Sequence, residues 1–264
     1  MEKLEKKIFE LGFDEYTVVK GEYLLVYKKY NYYNEVNEDN FKISPYYIAS
    51  NFSYFKSKEI IEYIEKLGFD AQLCNHEVYD EYLELSGSIR GKNNLFFFEG
   101  LGSLFCVQLI KTNYPLQNRK LNGIACKNCN RCVKVCPMGA LSDNGLDAKN
   151  CIRCRMDNVK DVELTNKMTQ LLGCDECQKN CPNNKFNVNE TSYDEFNKVK
   201  ILKGDLTGVK EIIGSNMARK KRLIYQAMCV CANKNYDQFK EHIKVYENDE
   251  MLKEVALLVC EKLC

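Results

Sequence analysis

The sequence predicts an α+β protein in three consecutive parts: an N-terminal α/β domain over residues 1–115, a cysteine-rich module over 116–190, and a C-terminal α-helical region over 191–264. Three observations carry this reading. Helix-spaced and strand-like runs alternate in the first part, nine of the fifteen cysteines fall between Cys126 and Cys181, and the remainder reads as helix after helix. A chain of 264 residues with 45% hydrophobic content has enough apolar material to fill such a core.

In the first part, LEKKIFELGFD and IIEYIEKLGFD place Leu4, Ile8, Leu11 and Ile60, Ile64, Leu67 at helical spacing, and each run ends at a glycine, Gly12 or Gly68. The repeated LGFD reads as a helix stop, with glycine in the left-handed position after the last turn. Strand-like YTVVK and AQLC follow the two helices, GEYLLVYKKY is a further strand, and NLFFFEGLGSLFCVQLI supplies one or two more. Beyond the cysteines, GVKEIIGSNMARKKRLIYQAMCVCAN, YDQFKEHIKVYE and EMLKEVALLVCEKL read as helices.

With 38 basic against 37 acidic residues the net charge is +1, so no whole-protein field draws the chain to nucleic acid or an anionic membrane. A polyanionic partner has to be met by a local patch. The start MEKLEKKIFELGF has charges where a signal peptide needs an apolar core, and no run of about 18 apolar residues occurs, which predicts a cytoplasmic protein without a membrane partner. Clustered cysteines in that setting bind metal or do redox chemistry more often than they form disulfides.

The stretch CKNCNRCVKVCP sets Cys126, Cys129, Cys132 and Cys136 ahead of Pro137 in the C-x2-C-x2-C-x3-C-P spacing of bacterial ferredoxins. In that pattern three thiolates hold one [4Fe-4S] cluster and the fourth reaches a second. Cys174, Cys177 and Cys181, followed by Pro182, give a C-x2-C-x3-C-P fragment with Leu171 where its first cysteine would stand. Two clusters need eight thiolates and these motifs supply seven; CIRC offers the last, as Cys151 or Cys154. Zinc is the competing reading, because Cys151, Cys154, Cys174 and Cys177 have zinc-ribbon spacing with 19 residues between the pairs. It strands Cys181 and leaves the ferredoxin run one ligand short. The remaining cysteines, Cys74, Cys106, Cys229, Cys231, Cys260 and Cys264, read as small buried hydrophobes.

The succession of the ferredoxin run, DAKNCI, GCDECQKNCPNNK and IGSNMARKKRLIYQAMCVCAN resembles the epoxyqueuosine reductases, cobalamin-dependent iron–sulfur enzymes of queuosine tRNA modification, over about residues 85–235. The resemblance selects Cys151 over Cys154. It implies one cluster on Cys126, Cys129, Cys132 and Cys181, another on Cys136, Cys151, Cys174 and Cys177, a ferredoxin-like central module and a HEAT-like helical end. It also matches a G-K-N motif at Gly91, Lys92 and Asn93 and a G-S at Gly102 and Ser103, both in the cobalamin-binding half. The implied reaction is reductive loss of the epoxide oxygen from a base at the tRNA wobble position, with a flavodoxin- or ferredoxin-type electron donor. The helix carrying Arg219, Lys220, Lys221 and Arg222 corresponds to one that faces the tRNA anticodon region, although four basic residues in a row cannot share one side of a helix.

The sequence departs from the family where its catalytic aspartate is expected. Cys74, Asn75, His76 and Glu77 stand there, and the first aspartate is Asp80. Gln108-Leu109 also replaces the usual Gly-Glu, and the N-terminal half is shorter. His76 and Glu77 are candidates for the acid, since histidine titrates near neutrality and burial raises a glutamate toward it. The plainer reading is a helix start capped by Asn75 with acidic residues in its first turn. Two function classes follow: a cobalamin-dependent reductase, or a non-catalytic double-cluster electron-transfer protein that has lost the corrinoid site.

Overall fold

The computed structural model describes residues 2–263. Four strands, Glu15–Val19, Tyr23–Lys29, Phe105–Thr112 and Ala71–Leu73, form a sheet in that spatial order, each antiparallel to its neighbour. Side chains alternate across it with period two. Leu24 and Val26 face the helices Glu2–Glu10 and Pro45–Lys66, meeting Leu4, Ile8, Ile60 and Ile64. Leu25 and Tyr27 face the other side, against Tyr82 and Leu83 of the helix Tyr79–Leu85 and against Phe98 and Phe105. Both faces are covered, which is why LLVY is a continuous apolar run.

The two LGFD segments close their helices alike. Gly12 and Gly68 have φ of +90° and +87°. The following Phe13 and Phe69 N–H groups donate back to Ile8 and Ile64 carbonyls, both at 3.3 Å, satisfying carbonyls the helix end leaves open. The second helix begins at Pro45, well upstream of its periodic stretch. Upstream of Ile60 it turns Tyr47, Ala49, Ser53 and Ser57 inward, and Ser53 and Ser57 satisfy their hydroxyls on the carbonyls of Ala49 and Tyr54.

The segment expected as one helix from Gly208 is two, Val209–Ile213 and Lys220–Lys234, parted at Gly214 with φ of +79°. A Cβ there would come within 2.8 Å of Asn51 Oδ1, so the break also seats the loop on the long N-terminal helix. The largest core draws on the whole chain: Leu223, Met228 and Val255 pack with Leu164 and Leu171 of the cysteine region and with Phe41 and Ile43. Val188–Thr191 pairs in parallel with Tyr32–Glu35. Among the described residues no helix is long and apolar enough to cross a membrane.

Candidate functional site

The ferredoxin run is coiled by its asparagines. Asn128 and Asn130 have φ of +49° and +56°, a left-handed conformation that asparagine adopts more readily than most residues. These reversals bring Cys126, Cys129 and Cys132 to one wall, and the short helix Arg131–Val135 follows. Cys136, at that helix's end, has extended backbone and receives the Ala140 N–H on its Sγ at 3.2 Å. The second fragment is turned by Leu172 and Gly173, with φ of +62° and +92°. It is pinned by the buried Asp175, whose carboxylate accepts from Ser44 Oγ at 3.0 Å and Gln170 Nε2 at 2.8 Å. Gln226 of the helix Lys220–Lys234 reaches in as well, accepting the Leu172 N–H at 2.7 Å and donating to the Met156 carbonyl at 3.2 Å.

These loops frame two cavities. Cys126, Cys129, Cys132 and Cys181 line the first; Cys136, Cys151, Cys154, Cys174 and Cys177 line the second. Both CIRC cysteines reach the second, Cys151 half-buried and Cys154 exposed. Burial pushes the Cys174 and Cys177 thiols up to about 12 and moves Cys132 and Cys181 in the same direction. Buried thiols ionise only beside a cation, and iron provides one. Among the described residues no three His, Cys, Asp or Glu side chains lie close enough to grip a single ion. Soft all-sulfur donor sets favour iron–sulfur clusters or zinc.

The G-K-N and G-S segments lie against this module. Gly91, Lys92 and Asn93 line the first thiol cavity. Lys92 Nζ donates to Asn130 Oδ1 at 2.5 Å and to Asp143 Oδ1 at 2.7 Å, tying the segment to the ferredoxin run. A Cβ on Gly91 would strike Phe97 at 2.6 Å. Ser103 N–H donates to Asn184 Oδ1 at 2.8 Å, Asn184 Nδ2 donates to the Gln178 carbonyl at 2.9 Å, and Gln178 Nε2 donates to the Ser103 carbonyl at 2.8 Å. Gly102, with φ of +62°, is where a Cβ would meet Asn184 Oδ1 at 2.4 Å. Gly102 and Ser103 therefore clamp the sheet to the loop carrying Cys177 and Cys181.

A separate open cleft of about 640 Å³ lies between the helix Pro45–Lys66, the sheet and the loop Ile213–Met217. His76 is on it, exposed, with its ring 4.7 Å from that of Tyr79. Glu77 is exposed and is not among the residues lining the cleft. Asn75 has extended backbone ahead of the turn His76–Val78 but makes no side-chain cap bond. Arg153 lines both the cleft and the second thiol cavity, its guanidinium 3.9 Å from the Tyr46 ring centre and 5.2 Å from that of Tyr47. Sequence reasoning read CIRC for its thiols and passed over this cation, although its place between two candidate ligands was the available signal. Of the basic quartet, Arg219 and Lys220 are exposed, whereas Lys221 pairs with Asp249 and Arg222 with Asp157 at 2.9 Å.

Mixed α and β structure carrying one cavity lined by four thiols and another lined by five defines a double-cluster iron–sulfur protein, and residues 125–184 match the 4Fe-4S double cluster binding domain family. The chain contains two [4Fe-4S] clusters, and the zinc reading is set aside. Its curated relatives are named epoxyqueuosine reductases, and its structural neighbours include epoxyqueuosine reductase structures. It is 26% identical to the epoxyqueuosine reductase of Cyclobacterium marinum over 197 residues, which are 67% of this chain and 64% of that one. The alignment thus spans just under two thirds of that relative. The structure of the Streptococcus thermophilus epoxyqueuosine reductase superposes with a TM-score of 0.79 at 18% identity, covering 99% of this chain and 90% of that one. An epoxyqueuosine reductase bound to an epoxyqueuosine-modified tRNA-Tyr stem loop superposes at 0.73 with 14% identity, covering 99% and 89%. Likeness at this identity establishes the fold.

Proposed function

We propose that this chain is an epoxyqueuosine reductase-like oxidoreductase that removes the epoxide oxygen of a modified wobble base in tRNA, with cobalamin held in the large cleft. The observation that carries the reading is Arg153, one side chain forming part of both the second thiol cavity and the cleft wall. A cluster held in that cavity and a corrinoid held in the cleft would share this side chain as a wall. In this reading Cys126, Cys129, Cys132 and Cys181 hold one cluster, and Cys136, Cys151, Cys174 and Cys177 hold the other. When bound, the corrinoid supplies a strongly reducing cobalt, chemistry no side chain offers. The chain's part is to exclude, orient and protonate.

His76, standing on the cleft, passes a ring N–H proton to the leaving oxygen, which otherwise departs as a poor alkoxide. Glu77 is the weaker candidate, since it lies off the cleft. Tyr54 and Phe55 are exposed at the cleft beside Lys58, whose ammonium is 4.3 Å from the Tyr54 ring centre. Aromatic faces next to a cation suit stacked bases and phosphate. The loop through Met217 leads directly into Arg219 and Lys220, which extend this basic rim toward the anticodon region of tRNA. The first cavity, beside Lys92, Lys127 and Arg131, suits docking of an acidic flavodoxin- or ferredoxin-type donor.

The test is to add cobalamin to anaerobically purified protein, record the visible spectrum, and assay epoxyqueuosine-containing tRNA under a low-potential reductant. Cobalamin should bind and the base should be reduced. His76→Gln should lower turnover by about 100-fold with cobalamin still bound, and Glu77→Gln should leave it near the parent value. Failure of cobalamin to bind while both clusters remain reducible would instead identify an electron-transfer protein without a corrinoid site, the reading favoured by the missing aspartate.

A further inference from the structure

Among the described residues Asn93 alone lines both thiol cavities. It is 6% exposed, and its Nδ2 has no hydrogen-bond partner. The other end of the amide is fixed: Oδ1 accepts the Leu95 N–H at 3.4 Å. The surrounding turn is closed by Gly91 N–H to the Leu95 carbonyl at 2.8 Å and Asn94 N–H to the Gly91 carbonyl at 2.9 Å, with Asn94 at φ +61°. The neighbouring Lys92 is turned away onto Asn130 and Asp143. A rigidly held, buried amide therefore presents two N–H bonds where the protein offers no acceptor.

Buried side-chain donors find partners in the large majority of cases, so the acceptor here belongs to what fills the cavities. A [4Fe-4S] cluster brings sulfide and thiolate sulfurs, and each one-electron reduction makes them more negative. An N–H pointed at such a sulfur favours the reduced form and raises the potential. We propose that the Asn93 side-chain amide donates one N–H to a sulfur of each cluster and so raises both reduction potentials together. Asn93 is thus a positioning and tuning residue for the pair of clusters, and this role rests on the assignment of the eight cysteines to two clusters given above.

The test is an EPR-monitored dithionite titration of the full chain, reconstituted anaerobically, with iron and zinc measured on each sample. Asn93→Leu keeps approximate volume and removes the donor. It should retain the parent iron content while both midpoint potentials move lower. Asn93→Asp keeps an oxygen for the Leu95 N–H and replaces the donor by an anionic acceptor, so it should move both potentials lower still. Unchanged potentials at full iron content, or movement of one cluster only, would overturn the proposal. If Asn93→Leu loses iron, Asn93→Asp decides: full iron with both potentials lowered supports the shared donor, and iron loss or parent potentials there leave Asn93 a packing role. Zinc in place of iron in the parent protein would overturn the cluster assignment itself, an outcome distinct from all of these.

Discussion

The cavity ringed by Cys126, Cys129, Cys132 and Cys181 is bordered by Lys92, Lys127 and Arg131, whereas the cavity of Cys136, Cys174 and Cys177 is bordered by Met138, Leu141, Leu146 and Ile152. At the first, Cys129, Lys127 and Arg131 are exposed. The second adds the amides of Asn93, Asn94 and Gln178 to these apolar side chains and has one cation, Arg153, that continues into the cleft. Two equal donor sets in unequal surroundings acquire unequal potentials, because burial and nearby charge act on the charge added by reduction. Under the proposed function the contrast would give the pair a direction, with electrons entering at the basic side and leaving toward the cleft.

The largest effect expected from testing this contrast is loss of a whole cluster. Cys151→Ser should remove roughly half of about eight irons per chain and Cys154→Ser little, measured by metal analysis after anaerobic reconstitution. Equal loss from both would show that the second cavity does not discriminate between its two CIRC thiols. Next in size is a separation of potentials. Arg153→Met should lower the potential of the second cluster and leave the first near its parent value, and Lys92→Met should do the reverse, both read by redox titration. Identical responses would erase the distinction between the two environments.

A smaller effect concerns the far side of the cleft. Arg219 and Lys220 have no carboxylate partner among the described residues, while Lys221 and Arg222 do. Replacing the first two with alanine should make the salt dependence of tRNA binding shallower by about two in logarithmic slope, and replacing the paired two should change it less. Smallest is an alkaline effect from thiols outside both cavities. Burial pushes Cys231 up to about 12 and Cys260 up to about 11, against an ordinary value of 9.0. The unfolded chain releases these protons first. Stability is therefore intact below pH 9.0 and falls through the window up to about 12, by at most about 1.4 kcal/mol per pH unit for each thiol. Cys231→Ala should flatten that decline in thermal unfolding of the cluster-loaded protein.

How much of this was legible in the sequence differs along the chain. The cysteine spacing grouped Cys126, Cys129 and Cys132 and set Cys136 apart, as the two cavities do, because a cluster dictates its ligands at short intervals; the place of Cys181 beside the first three came only from the family resemblance. The LGFD stops were legible for a similar reason, being set by backbone geometry within a few residues. The part of the helix Pro45–Lys66 upstream of Ile60 was not, since its inward face is built of tyrosine, alanine and serine, and the serines hide their polarity by bonding to their own helix. Arg153 escaped altogether, and Ser103 was read only as part of a motif, because their partners are distant in sequence. Ser103 meets Asn184, and Arg153 meets Tyr46, through contacts that no local pattern encodes. The fold class followed from element order, but the antiparallel pairing of the sheet did not.

The packing of Phe41 and Ile43 against Leu223, Met228 and Val255 bears on how the protein is made. During synthesis the ribosome delivers the segment around Phe41 long before the helices that cover it, and the parallel partner of Tyr32–Glu35 also comes late, at Val188–Thr191. Pairings across such separations are slow, since a long loop must close before any contact rewards it. The thiols of Cys126–Cys136 therefore leave the ribosome before Cys181, which completes the wall of the first cavity, and before Gln226, which fixes the Leu172 loop leading to Cys174. Until then those thiols are open to oxygen and to stray metals, a hazard that iron delivered only after Cys181 has emerged would shorten.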